Sequence, residues 1–175
     1  GNFSRQEQTL DNWRPILAKL DAEPETTAVS PVAEGSGFLL RSGERWPVLV
    51  RGIDPFRADE IYALSDKLTD GRMAVEGDQV LIGTALAGEA LLQAGDTFTL
   101  ELPGGERQSL TVAGVFDLGN NSLNETWIFM ELSRAQRLLG FGDDISRVEV
   151  QIEDVFAADV LAAQYEKQFI GLKSE

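Results

Sequence analysis

Leu10, Trp13, Leu17 and Leu20 recur at spacings of three, four and three, which lays one apolar stripe on a helix from about Ser4 to Asp21. The Glu23-Pro24 pair stops it, because the residue before a proline is pushed out of the helical region. Extended runs follow at Thr27 to Val32, Gly37 to Leu40 and Trp46 to Ile53. Turn signals at Glu34-Gly35-Ser36 and Ser42-Gly43 divide them and predict a β meander or hairpin. Ile61, Leu64 and Leu68 keep helical spacing over a short helix from Pro55 to Leu68, which Asp70-Gly71 breaks.

Farther on, Gln79 to Ile82 reads as a buried strand and Thr84 to Leu92 as a helix whose first hydroxyl caps the exposed amides. Strands Thr97 to Leu102 and Ser109 to Phe116 flank Pro103-Gly104-Gly105, a hairpin turn in which glycine supplies positive φ. Gly119 to Glu125 predicts a polar surface loop before a strand from Trp127 to Met130. In the helix from Leu132 to Gly140, Ser133 with Gln136 matches a capping box and Gly140 suits the left-handed stop. Alternation from Ile145 to Ile152 marks a strand, and Asp154 opens a last helix carrying Phe156, Val160 and Ala163. This order predicts an α+β, two-lobed fold: a mixed lobe built from both chain ends, with a β-rich lobe inserted between them.

Composition narrows the function. The 175 residues are 43% hydrophobic and 25% charged, as expected of a globular domain. No apolar run approaches the ~20 residues that cross a bilayer, so any membrane anchor is expected outside this segment. The net charge of -14 repels phosphate backbones and argues against nucleic acid. Cysteine and histidine are both absent, which removes disulfides, thiolate zinc, the usual general base and every histidine-dependent triad. With no signal peptide in view, and Gly1 resembling a cloning scar, the chain reads as a segment excised from a longer protein.

Sequence motifs give no catalytic centre. There is no phosphate-binding loop, and Gly35-Ser36-Gly37 and Gly140-Phe141-Gly142 lack the third glycine of a dinucleotide fingerprint. Asp117 to Glu125 lacks the spaced acids of a calcium loop. Asp143, Asp144 and Glu149 would serve an enzyme only if they converged in a deep pocket with raised pKa values. No catalytic residue, metal or cofactor is therefore expected.

Three stretches resemble the periplasmic core domain of MacB-type permeases, the ABC family that includes the macrolide exporter and the lipoprotein-releasing LolC and LolE subunits. The first is Val29-Ser30-Pro31-Val32 with Val48 to Pro55 and its Gly52-Ile53-Asp54-Pro55 turn. The second runs from Val80 to Ala87 and from Gln93 to Leu100, and the third from Val112 to Gly119, Trp127 to Leu132 and Ala135 to Leu139. The resemblance implies a Porter-like subdomain, residues 1–53 and 115–175, and an inserted Sabre-like subdomain, residues 54–114. It also implies a place in the periplasm on the bacterial inner membrane, with membrane helices and an ABC ATPase subunit or domain as partners. A second permease copy and a periplasmic adaptor complete the expected partners. Motion driven by ATP would be relayed through this domain for export of a substrate. The alternative is a force-transmitting scaffold of a permease similar to the FtsX class, acting on a partner hydrolase.

Lipoprotein-releasing members carry a longer loop before the strand equivalent to Ser109 to Phe116, where this chain has only Leu102 to Glu106, which argues against carrier docking of that kind. The candidate partner-contact positions are Pro103, Gly104 and Gly105 in the hairpin and Asn120, Asn121 and Asn124 in the polar loop.

Overall fold

A 16-residue strand, β1 (Thr26–Arg41), organises the molecule; the computed structural model describes residues 8–153. The second half of β1 turns into β2 (Glu44–Ile53) through a two-residue loop in which Ser42 and Gly43 both have positive φ, 53° and 81°. That is the hairpin geometry whose twist matches the flanking strands. Residues 26–32 of β1 instead pair antiparallel with β8 (Arg147–Ile152).

The remaining strands are β3 (Leu68–Gly71), β4 (Gln79–Gly83), β5 (Thr97–Glu101), β6 (Arg107–Phe116) and β7 (Trp127–Glu131). Hydrogen-bonded neighbours run β2-β7-β4-β6-β5-β1, and the β1–β2 pairing returns to the start. The result is a closed, mixed, six-stranded barrel. The β2–β7 and β4–β6 pairs are parallel and the other four barrel pairings antiparallel. Closure satisfies both edges of each strand, so the barrel offers no free edge to template aggregation. β3 and β8 are outriggers on β6 and β1.

Helices cover the barrel: α1 (Arg14–Asp21), α2 (Pro55–Tyr62), α3 (Thr84–Ala90), α4 (Asn121–Thr126) and α5 (Leu132–Leu139). α2 starts where the Asp54 carboxylate accepts from the backbone N–H groups of Phe56 and Arg57, with Pro55 in the first turn. α5 lies so close to β2 that a Cβ on Gly52 would sit 2.3 Å from that of Ala135, so glycine is required there. Leu39, Val50, Val80, Leu100, Val112 and Ile128 fill one core cluster. A second joins Val32, Ile53, Leu81, Phe116 and Phe129. A third belongs to the terminal segments, where Trp13, Val29, Ile145 and Val148 bury one another.

Several expectations are corrected. The first helix begins at Arg14, because Asn12 takes φ 47° and Leu10 pairs with Ile145 in a β-bridge. No turn interrupts β1 at Gly35; the glycine is there because a Cβ would lie 2.7 Å from Leu139 of α5. α2 ends at Ala63, in the left-handed region, and Leu64–Lys67 continues as a 3-10 turn. Thr84 does not cap α3, whose N-cap is Gly83. The polar loop winds into α4, capped by Asn120. The capping box at Ser133 does not form: Glu131 holds the cap position, and Gln136 donates to the Asp144 carbonyl instead. The last predicted helix lies outside the described residues.

Candidate functional site

Arg51 sits in the run Val48-Leu49-Val50-Arg51-Gly52-Ile53, and its side chain is fully buried. A buried cation must be paired and hydrogen-bonded to be tolerated. Its register partner across the β1–β2 ladder is Glu34, whose carboxylate accepts from Arg51 Nε at 3.2 Å. Arg51 Nη2 donates to Glu149 on β8, and Nη1 donates to the Tyr62 hydroxyl at 3.0 Å. Tyr62 in turn donates to Glu149 at 2.6 Å.

Arg147, two residues before Glu149 on the same face of β8, closes the ring. It donates to Glu34 through both terminal nitrogens, Nη2 at 3.1 Å, and its Nη2 lies 3.5 Å from Glu149. Two guanidinium groups thus alternate with two carboxylates, formally neutral, and the four residues come from β1, β2 and β8. Trp127 supplies the floor, with the Arg51 guanidinium 4.0 Å from its ring centroid. Tyr62, Trp127 and Phe129 pack on one another with centroids 5.7 to 5.8 Å apart.

Charges respond as this geometry requires. Burial pushes the Glu34 carboxyl up, but Arg147 and Arg51 outweigh it and hold it below the usual carboxylate range. Burial depresses Arg51, and Glu149, Tyr62 and Glu34 more than restore it. Burial and the neighbouring Glu149 carboxylate push the Tyr62 phenol well above its ordinary value, so it stays a neutral donor. A neutral, closed ring without a free base or nucleophile is suited to fastening strands together. Its position fastens β8 to the wall of the barrel.

The acids considered for enzymatic work do not converge. Asp143 pairs with Arg14 at 2.6 Å and is 70% exposed, and the Arg14 hydrogen bond lowers its pKa. Asp144 accepts from the Thr9 hydroxyl, while Glu149 belongs to the ring. Among the described residues no group of acids could hold a metal ion, and no helix is long and apolar enough to cross a membrane.

Of the partner-contact candidates, Pro103, Gly104 and Gly105 are exposed in the β5–β6 turn, and Asn120 and Asn121 are exposed at the start of α4. Asn124 is buried: its amide donates to Asp117 at 2.8 Å and its oxygen accepts from the Leu118 N–H at 2.9 Å. The structure therefore makes Asn124 an internal brace of this loop. Sequence reading missed the ring altogether, although an arginine inside an apolar strand was a visible signal for it.

No family model matches the chain. It is 24% identical over 165 residues to the lipoprotein-releasing system transmembrane protein LolE of Haemophilus influenzae, and 25% identical over 164 residues to LolC of Xylella fastidiosa. Each match takes in 87% of this chain and 39% of the relative, so the chain spans well under half the length of these proteins. Among solved structures, the periplasmic region of MacB from Actinobacillus actinomycetemcomitans superposes with a TM-score of 0.63 at 18% identity, over 100% of this chain and 81% of that one. The extracellular domain of the noncanonic ABC-type transporter YknZ from Gram-positive bacteria gives 0.62 at 18% identity, over 90% and 83%. A domain of a putative permease protein from Porphyromonas gingivalis gives 0.57 at 14%, over 94% and 72%. The chain thus shares the fold of the MacB periplasmic region and is distantly similar in sequence to the permease proteins LolC and LolE.

Proposed function

We propose that this domain relays ATP-driven motion from the membrane part of its permease and presents a surface to extracytoplasmic partners during export of a substrate. The observation that carries the reading is the Arg51 ring, which ties β8 to β1 and β2 by charged hydrogen bonds in a nearly dry setting. A pull on β8 is passed to a closed barrel, and closed barrels deform little because every strand is bonded on both edges. The terminal segments, with their core of Trp13, Val29, Ile145 and Val148, act as the moving Porter-like base, and the barrel, which joins the inserted strands β4, β5 and β6 to β1, β2 and β7, is the body they carry. The partners are the membrane helices of the same permease, an ABC ATPase subunit or domain, a second permease copy, and a periplasmic adaptor that meets the Pro103–Gly105 turn or Asn120 and Asn121.

The chain has no cysteine, so a cysteine introduced into it is unique within these 175 residues. With Glu89→Cys spin-labelled in the assembled permease, the distance between the two labels of the pair should change between nucleotide-free and nucleotide-trapped states. An unchanged distance would overturn the relay.

A further inference from the structure

β8 is an open end of the sheet. Pairing runs round the barrel and out through β1 to β8, and among the described residues no strand lies beyond it. Its free backbone groups can be assigned from its partner. Pro31 has no N–H, and the Val29 carbonyl accepts from Arg57 of α2 at 3.0 Å, so Val29 and Pro31 turn their backbone groups away from β8. Their register partners, Val150 and Val148, point the opposite way, and the period of two adds Ile152. The N–H and C=O of these residues therefore line the outer edge, while the Glu153 N–H turns inward to the Glu25 carbonyl at 3.0 Å.

Open edges are usually blunted by lysine, proline, a bulge or a covering segment. Just before β8 a segment does cover the edge: Leu10 exchanges both backbone bonds with Ile145, at 2.7 and 3.0 Å. That cover stops at a bulge. Ser146 donates its N–H to the Val32 carbonyl although Arg147 is the register partner of Val32, which breaks the alternation between Ile145 and Val148. From Val148 to Ile152 there is no lysine, proline or bulge, and no described residue bonds the outer edge.

We propose that this edge pairs antiparallel with the same edge of a second copy of the chain, about a two-fold axis at Val150; the proposal rests on the paired permease of the function above. The strand is its own complement, as a two-fold contact requires. With Val150 opposite Val150, every outward N–H and C=O from Val148 to Ile152 finds a partner. Val148 then faces Ile152, and on the other face Glu149 meets Gln151 and Arg147 meets Glu153. An axis at Glu149 instead sets two carboxylates opposite each other and leaves Ile152 facing the bulge. One pair of short strands is marginal in water, so the isolated chain stays monomeric, and the pairing forms where the permease holds two copies at millimolar effective concentration. Because the relay changes the separation of the two domains, the pairing is made in one nucleotide state and broken in the other.

The test is disulfide trapping in the assembled permease with one cysteine at a time from position 148 to 152, wild type treated alike setting the background. The two copies of residue 150 lie about 5.5 Å apart between Cα atoms, whereas those of 148 or of 152 are about 14 Å apart. Val150→Cys should therefore give a disulfide-linked pair at least about tenfold more than Val148→Cys or Ile152→Cys, and in one nucleotide state only. Val150→Pro removes an outward donor and no bond to β1, so it should cut about tenfold the product of Gln151→Cys with a thiol crosslinker of ~8 Å span. A maximum at another position, equal yields in both states, or adducts with a different protein alone would overturn the proposal. In the isolated chain the amides of Val148, Val150 and Ile152 should exchange at least about a hundredfold faster than those of Glu149 and Gln151. Protection that survives dilution means that the same chain covers the edge, and overturns it too. No product at any position while Glu89 labels still report a pair rejects the edge contact and keeps the paired permease, whereas no pair signal from Glu89 rejects both.

Discussion

Replacing Arg51 by methionine isolates the ring's contribution, because the stem keeps its packing against Trp127 while the guanidinium is lost. In the native protein that group bonds Glu34, Tyr62 and Glu149, and the two carboxylates are only 16% and 14% exposed. Arg51→Met leaves these two carboxylates facing Arg147 alone, one negative charge in excess. Breaking one partner of a buried pair costs about 3–5 kcal/mol, and the slight exposure of these acids puts the expected loss at about 3 kcal/mol. Adding Glu149→Gln restores neutrality, so the double variant should be at least about 1 kcal/mol more stable than the sum of the single effects predicts. Urea denaturation of the four proteins measures this directly through midpoints at constant slope. The sign with pH is fixed as well. The folded-state pKa of Glu34 is depressed, so its stabilisation is present above its ordinary value of 4.5 and lost as pH falls through the folded value. Without Arg51 that depression shrinks, and the gap between wild type and Arg51→Met should hold near neutral pH and narrow as pH falls below 4.5. A gap below about 1 kcal/mol at pH 7, additive effects, or a gap that widens on acidification would refute the reasoning.

Other outcomes follow from single contacts. Gly52→Val drives a side chain into Ala135 of α5 and should cost about 1–3 kcal/mol, read as a lower thermal midpoint. Leu91 is 80% exposed at φ 57°, so Leu91→Gly should stabilise by about 1 kcal/mol in the same assay. Asn124→Ala strands the Leu118 N–H and should cost about 1–3 kcal/mol, with faster amide exchange at Leu118.

The sequence made much of the barrel legible because strand alternation and turn glycines are local signals. The β5 and β6 hairpin, the Ser42-Gly43 turn and the Gly140 stop of α5 were all readable for that reason. Failures arose where tertiary contacts decide. Gly35 looked like a turn, but it is glycine to admit Leu139, and Gln136 looked like a cap partner but serves Asp144 across a loop. Leu10 fitted a helical stripe, yet pairing with Ile145 captured it as a bridge. The ring escaped notice because Glu34, Arg51 and Glu149 are separated by long stretches of chain, and only β1's pairing with both β2 and β8 brings them together. Arg147 and Glu149 read as a solvent-facing alternation until that topology is known.

If the domain is a rigid relay, β8 and the barrel move as one body through the transport cycle. Spin labels at Gln151 and Glu89 of a single chain, placed in the assembled permease, measure this most directly. The distance distribution should stay constant between nucleotide-free and nucleotide-trapped states, and should broaden or shift with nucleotide in Arg51→Met. A wild-type distance that itself changes with nucleotide would contradict the account.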